Sequence, residues 1–461
     1  MRMKFNKSRQ LLLTTAASLL AAGLIAACGT ATADFVYVAS SKAAGPYNYG
    51  EIDVFEINRI SGAMRQIPAS PFPSGGRNPV AEAVSSDDTN LYVVNQDDNT
   101  IVQFLIGSDG KIYPQNTVNT PGVYPQAVAV NGSTLFIADT YQPLPTCSNA
   151  NPCSGSVAVF PIEPASGTGS SAKRGGALGV PAANGSLNYW PLCLYGYVPA
   201  SGSTQCVATS AGGVHLPKAS DVMVPTAVSV LSSGGNAYFY VTAFDWTAGG
   251  GAFTGIDDIL GTVNVCNQKP SAYYGDNGYI FGFSAGSGGA LSPLNGGAPF
   301  ASAGLTLPCG IASASDASGA YVYVTDSTNG NVHGYSVASG ALTELSGSPY
   351  AAGNQPAAIV ADPDHPFLYV ANALDGTVSA YSIGSGALTG IGTYDAGIQP
   401  VAMGIDPSTS HFLFTVNFLG SNVSDFQLST TAGTLINTQR SPYVANAQPT
   451  AVTAIPHHAT Q

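Results

Sequence analysis

Charge is what this 461-residue chain has least of: Lys, Arg, Asp and Glu together make up 9% of it. The few charges are unbalanced, with 26 acids against 14 basic residues and a formal charge of −12. Such a surface repels phosphate backbones, so nucleic acid is not an expected partner. Also missing are a P-loop, a Rossmann glycine pattern, a nucleophile elbow, a zinc-ligand spacing and an Asp-x-Asp-x-Asp-Gly calcium loop. No cofactor and no metal is therefore expected. The longest apolar run, 11–25, is shorter than the roughly 20 residues a membrane helix needs. Gly and Pro total 85 residues, below the roughly 25–30% of a low-complexity chain, and an apolar content of 45% leaves room for a sizeable core.

The chain opens with an export signal: Arg2, Lys4, Lys7 and Arg9 precede the apolar run. Ile25-Ala26-Ala27-Cys28 then resembles a bacterial lipobox, giving a signal at 1–27, an acylated Cys28 and a tether over 28–33. Ala31-Thr32-Ala33 is the competing small-x-small cleavage site, which would release a soluble chain instead. Several acyl chains on Cys28 suffice for stable anchoring, and Gly29 points to the outer membrane. Removing the signal takes away four of the cations and none of the acids, so the charge falls from −12 to −16. The six cysteines left after Cys28 are an even number in an exported chain, which reads as disulfides.

Residues 355–388 show the unit from which most of the chain is made: period-2 runs at Pro356–Ala361, Phe367–Ala371 and Thr377–Ile383, separated by Asp-Pro and Asp-Gly turns. That pattern is an antiparallel meander. Three markers each recur seven times. The first is Pro-x-small, at Pro79/Ala81, Pro125/Ala127, Pro225/Ala227, Pro308/Gly310, Pro356/Ala358, Pro400/Ala402 and Pro449/Ala451. The second is an aromatic at Tyr37, Tyr92, Phe136, Tyr240, Tyr323, Tyr369 and Phe414. The third is a β-branched residue three places before an aromatic, from Ile52/Phe55 to Val423/Phe426. Proline fits the first residue of a strand, a small residue suits a crowded axis, and aromatics fill the space between sheets. Seven four-stranded sheets repeated radially make an all-β, seven-bladed β-propeller over 34–456, followed by a tail at 457–461. The chain starts on a second strand, 35–39, and ends on an inner strand, 449–455. The two are expected to complete one blade and close the ring.

The repeat is broken by insertions at about 140–155, 164–222 and 245–277. Second-to-third loops share a face with the loops entering each inner strand, and the insert at 160–225 is expected on that face as well. The alternative is that Gly176-Ala177-Leu178 is a displaced hairpin turn, which moves part of it to the opposite face. All six cysteines fall in or beside the insertions, and the pairing chosen is Cys147–Cys153, Cys193–Cys206 and Cys266–Cys309 among the 15 that six cysteines allow. These staples either build a cap over the central funnel or simply keep long loops folded.

At the level of Leu-Tyr-Val-Ala-Asn (368–372), Asp-Gly-Thr-Val-Ser-Ala-Tyr (375–381), Ser-Gly-Ala-Leu (339–342) and Ser-Pro-Tyr (348–350), the chain resembles the lactonase family of seven-bladed propellers and the related YVTN repeats. The resemblance covers essentially all of 34–455. It implies opening of lactones such as 6-phosphogluconolactone, or a related cycloisomerisation, by Arg, His and Glu in the funnel, with Arg-His directly after an inner-strand proline. Here the residues after the seven prolines are Val80, Gln126, Thr226, Cys309, Ala357, Val401 and Thr450. The arginines beyond the signal are five, Arg59, Arg65, Arg77, Arg174 and Arg440, too few for an evident phosphate clamp. The fold carries over; the active site does not.

Independent catalytic candidates are Glu82, His215 and Asp245. Glu82 stands where the other copies have Val128, Val228, Ile311, Ile359, Met403 and Val452, which suggests a carboxyl near the axis with a raised pKa; the competing reading pairs it with Arg77 or with backbone and water. His215 is the one histidine in an insertion, and a lone histidine is more often structural or solvated. Asp257-Asp258 reads as solvated loop acids before it reads as a cation site. Candidate ligand-stacking residues are Trp190, Tyr195, Trp246, Tyr273 and Tyr274. The expectation is a membrane-anchored, monomeric binding module for a small neutral ligand, a glycan or a protein. The alternative is a hydrolase of an unphosphorylated lactone.

Overall fold

The computed structural model describes residues 32–41, 49–142, 154–167, 174–192, 197–199, 206–208, 223–245, 266, 278–286, 289–301, 304–407 and 411–457. They form seven antiparallel sheets around one axis, numbered here as blades 1 to 7, and a separate two-stranded sheet of Tyr197–Pro199 with Cys206–Ala208. Blades 2, 6 and 7 start on the inner strands Pro79–Val84, Pro356–Ala361 and Pro400–Ile405, each opened by its proline. Blade 5 starts on Pro308–Asp316, while blades 3 and 4 start two residues before their prolines, on Val123–Asn131 and Met223–Ser233.

Blade 1 is assembled from both ends of the chain. Pro449–Pro456 is its inner strand and pairs antiparallel with Thr32–Ser40, with Phe35 opposite Ile455 and Ala39 opposite Ala451. Thr32–Ser40 in turn pairs with Tyr49–Asn58. The expected closure is therefore present. Blades 1, 5 and 7 share a further device: a Ser-Pro bond (Ser70-Pro71, Ser348-Pro349, Ser441-Pro442) in the cis form, after which a short strand returns to the third strand of its own sheet.

The core is divided among the interfaces. Seven apolar clusters lie one between each pair of adjacent blades, including the seam where blade 7 (Phe412, Phe414, Val416) meets blade 1 (Val36, Val38, Phe55). Burial of these faces is the main driving force for stacking.

Each second-strand tyrosine adds a directed bond to that packing. The hydroxyls of Tyr37, Tyr92, Tyr240, Tyr323 and Tyr369 donate to the carbonyls of Gly110, Gly176, Gly340, Gly386 and Gly433, each in the third-to-fourth turn of the next blade, at 2.8–3.1 Å. All five glycines have positive φ, from 67° to 100°, and a Cβ on Gly386 would lie 2.3 Å from the Tyr321 ring. Glycine is required there both for the turn and for the close approach of the ring. Where the marker residue is Phe136, it stacks on Phe239 of blade 4 at 4.6 Å instead.

Gly176 answers the question left by the longest insertion. It receives Tyr92 as the other turn glycines receive theirs, and the Ile162–Leu178 bridge continues the hairpin. Glu163 and Gly176, joined by the Gly176 amide donating to Glu163 O at 2.8 Å, thus stand at a third-to-fourth turn position on the face opposite the loops that enter the inner strands. The single-face placement of the 160–225 insert is corrected to that extent, because the turn glycine was displaced by the insertion rather than lost.

Candidate functional site

The axial wall is built from the Pro-x-small stretches. Every one of the seven carries a register shift between the proline and the residues just after it, so the strand bulges as it enters the axis. In five blades the residue before proline (Asn78, Tyr124, Gln355, Gln399, Gln448) has positive φ, from 53° to 61°. The small residue follows from crowding: a Cβ on Gly310 would lie 3.0 Å from Ile359 Cγ2 and 3.2 Å from Ala358 Cα of the next inner strand.

Polar groups on this wall are used to join strands. The Thr226 hydroxyl donates to Pro308 O at 2.6 Å and that of Thr450 to Pro79 O at 2.7 Å, each crossing to the next blade. Ser229 and Ser313 share a hydroxyl hydrogen bond at 2.8 Å. Over the six residues beginning at each proline, Glu82 is the only carboxylate, and there is no imidazole, guanidinium or amine.

Glu82 lies in the seam between blades 1 and 2. It has the same strand parity as Val84, which packs with Phe35, Tyr37 and Ile455. Its carboxyl group is buried, and neither oxygen completes a hydrogen bond of ordinary geometry. Desolvation pushes its pKa well above the usual glutamate range, opposed only by the approaching Thr453 amide. The phenol of Tyr37 is shifted upward as well, first by burial and then by the nearby Glu82 charge. The expected rise in pKa is thus present, and the expected partner Arg77 is not: Arg77 Nε donates to Asp98 Oδ1 at 2.7 Å.

At the mouth, where the inner strands begin, a buried polar residue of the second strand stands opposite the proline in six blades, Ser40, Asn95, Asp139, Asp326, Asn372 and Asn417, while blade 4 has Ala243 there. Sequence reasoning did not single out this position, although the aligned phrases Tyr-Val-Val-Asn, Phe-Ile-Ala-Asp and Tyr-Val-Ala-Asn contain the signal. These side chains hold the loop that enters the inner strand. Asp326 accepts from the Thr306 and Leu307 amides (2.7 and 3.2 Å), Asn372 Oδ1 from the Gly353 amide (3.0 Å) and Asp139 Oδ2 from the Gly122 amide (3.0 Å). Asp139 Oδ1 is buried without a partner, and burial raises its pKa to about 7 against the Gly122 amide and the Thr120 hydroxyl.

Cys266, the one described residue between Asp245 and Gly278 in the blade 4 insertion, lies at this mouth. Cys266 is bonded to Cys309, the residue after the blade 5 proline, as expected. It packs with Tyr141, Val224, Phe244 and Leu307, and its carbonyl accepts from Gln355 Nε2 of blade 6 at 3.3 Å. One residue of the insertion thus touches blades 3 to 6 where their inner strands begin.

The other predicted residues fare differently. Trp190 is 5% exposed and packs with Leu192, Val157 and Met223 between blades 3 and 4; it is a core residue and not an open stacking surface, because it falls on the outer strand of a blade rather than in a free loop. Asp245 is 4% exposed at the end of its strand. Tyr195, Trp246, Tyr273, Tyr274, His215, Asp257, Asp258, Cys28, Cys147, Cys153 and Cys193 lie outside the described residues, and of Cys206 only the backbone is described. His333 Nδ1 meets Glu344 Oε1 at 2.9 Å and His365 Nδ1 meets Asp362 Oδ2 at 3.1 Å, both within single blades. Among the described residues, no three His, Cys, Asp or Glu side chains come together to hold a metal.

The family "Lactonase, 7-bladed beta-propeller" matches residues 312–453. No protein of curated function matches the chain. Among solved structures, the Pseudomonas aeruginosa periplasmic gluconolactonase PpgL aligns with a TM-score of 0.58 at 18% identity, covering 92% of this chain and 99% of its own. A Bacteroides fragilis protein named as a candidate 6-phosphogluconolactonase gives 0.60 at 18% identity, with 93% and 99% covered. A Lactobacillus plantarum protein gives 0.58 at 18%, with 92% and 99% covered. At these identities the structural likeness speaks for the fold. With seven blades and the closing strand, the chain is a seven-bladed β-propeller, and its blades 5 to 7 and closing strand are similar to the lactonase family of such propellers.

Proposed function

We propose that this protein is an exported, membrane-anchored binding propeller that holds a small neutral ligand, a glycan or a protein segment at its mouth, without the hydrolytic centre implied by its family. The observation that carries the reading is the wall itself: no arginine or histidine follows any of the seven prolines, and the one carboxyl is turned into the seam between blades 1 and 2. The wall hydroxyls of Thr226 and Thr450 are spent on neighbouring strands. Trp246, Tyr273 and Tyr274 belong to the same inserted loop as Cys266, which the disulfide ties to the mouth, and they are the proposed contact residues. Anchoring through Cys28 follows from the signal and the lipobox-like segment. Binding to a glycan array, lost in Trp246→Ala with an unchanged melting temperature, is the expected result; an array signal indifferent to Trp246, Tyr273 and Tyr274 would refute the assignment.

One observation favours a second reading. Glu82 is a buried carboxyl whose environment favours the protonated form, and PpgL, of like fold, is by name a periplasmic gluconolactonase. A carboxyl of that kind can serve as a general acid or base, so hydrolysis of an unphosphorylated lactone is the alternative. Turnover that Glu82→Gln abolishes is its signature.

A further inference from the structure

On the face away from the mouth, ring closure brings three chain segments to one cleft of about 400 Å³. Arg59 comes from the third-to-fourth turn of blade 1, His411 from the first-to-second turn of blade 7, and His457 from the residue after the closing strand. Each is held on a fixed backbone. Asn58 Oδ1 accepts from the Ile60 and Ser61 amides at 3.0 and 3.1 Å, fixing the turn that carries Arg59. The His411 amide donates to Asp406 Oδ2 at 3.3 Å, and its carbonyl accepts from the Leu428 amide at 2.7 Å. The His457 amide donates to Ala33 O at 2.8 Å, and its ring lies 5.3 Å from that of Phe35.

The charge of this cleft runs against that of the chain. Its lining contains no carboxylate, and Asp34, which follows Ala33, and Asp406, which accepts from the His411 amide, are both wholly buried. Among the described residues Arg59 makes no ion pair, whereas Arg65, Arg77 and Lys111 each have a carboxylate partner. A guanidinium without an ion-pair partner among the described residues, on a chain of net charge −12 and with two imidazoles beside it, offers an anion one positive charge and ring N–H donors. Gln427 and Thr32 add uncharged polar groups at the rim.

We propose that this cleft binds a phosphate ester, with Arg59 as the charged fork and His411 and His457 as flanking donors. The site is independent of the ligand proposed for the mouth. Its position suggests where the phosphate comes from: Thr32 lies four residues after Cys28, so an acyl anchor there would keep the cleft within about 14 Å of a bilayer surface. Both a lipid headgroup and a free phosphate ester carry the required group.

The test is titration of the full chain with inorganic phosphate and glycerol 3-phosphate, alongside co-sedimentation with phosphatidylglycerol vesicles, in the wild type, Arg59→Ala and the triple variant Arg59→Ala/His411→Gln/His457→Gln. The expected result is saturable binding of at least one probe, weakened tenfold or more by Arg59→Ala and abolished in the triple variant, with an unchanged melting temperature. Vesicle binding alone assigns a headgroup; glycerol 3-phosphate binding assigns a free ester. No saturable binding of any probe, equal binding by wild type and triple variant, or preference for citrate over phosphate would overturn the proposal.

Discussion

Replacing Asp139 by Asn should stabilise this protein at neutral pH, and the structure sets both the sign and the size. Asp139 is fully buried, accepts one amide hydrogen bond from Gly122, and has a pKa raised from 3.8 to about 7 by burial. An acid with a higher pKa in the fold than in the unfolded chain holds its proton more tightly when folded. Its favourable contribution is therefore complete below about pH 4 and is lost as the pH rises to about 7. A difference of about 3 pKa units at 1.36 kcal/mol each bounds the loss at about 4 kcal/mol. Asparagine is uncharged at every pH and already fills the equivalent place as Asn95, Asn372 and Asn417. Its amide would find Ser156, opposite residue 139 in the register, much as Asn372 donates to Thr377 at 3.1 Å. Urea unfolding at pH 5 and pH 8 is the assay. Asp139→Asn should be the more stable protein at pH 8, with a visibly smaller fall between the two pH values. A variant less stable than the wild type at pH 8, or an unchanged fall between the two pH values, would exclude a destabilising charge at Asp139.

Three further outcomes follow from the packing. Tyr323→Phe leaves the buried Gly386 carbonyl without its 2.8 Å bond and should cost about 1–3 kcal/mol in urea unfolding. Deleting residues 448–461 removes the strand opposite Thr32–Ser40 and uncovers the apolar seam between blades 7 and 1; the melting temperature should fall by many degrees, and an unchanged melt would exclude closure by this strand. Cys309→Ser opens a 43-residue loop; chain entropy puts the loss at about 4 kcal/mol, read as a lower urea midpoint under non-reducing conditions.

The blade count was legible because the Pro-x-small, aromatic and β-branched markers each answer to a local requirement repeated seven times. The reasons behind them were less so. Tyr37 and its equivalents read as filling, whereas their hydroxyls are the directed part, since the accepting glycine lies in another blade at a separation no local pattern reports. The polar residue opposite the proline in six of the second strands went unremarked because Ser, Asn and Asp read as ordinary turn formers. Glu82 was found by comparing copies, but only the parity of its strand shows that it faces Tyr37 and Thr453. Trp190 was misread because an insertion hid the outer strand on which it lies.

The binding propeller proposed above has no hydrolytic centre in the wall at its axis. The most direct test is turnover of a panel of unphosphorylated lactones by the full chain, beside Glu82→Gln. Rates no higher than the uncatalysed reaction are expected for both proteins. Turnover by the wild type that Glu82→Gln abolishes, with the fold intact by melting, would contradict this reading.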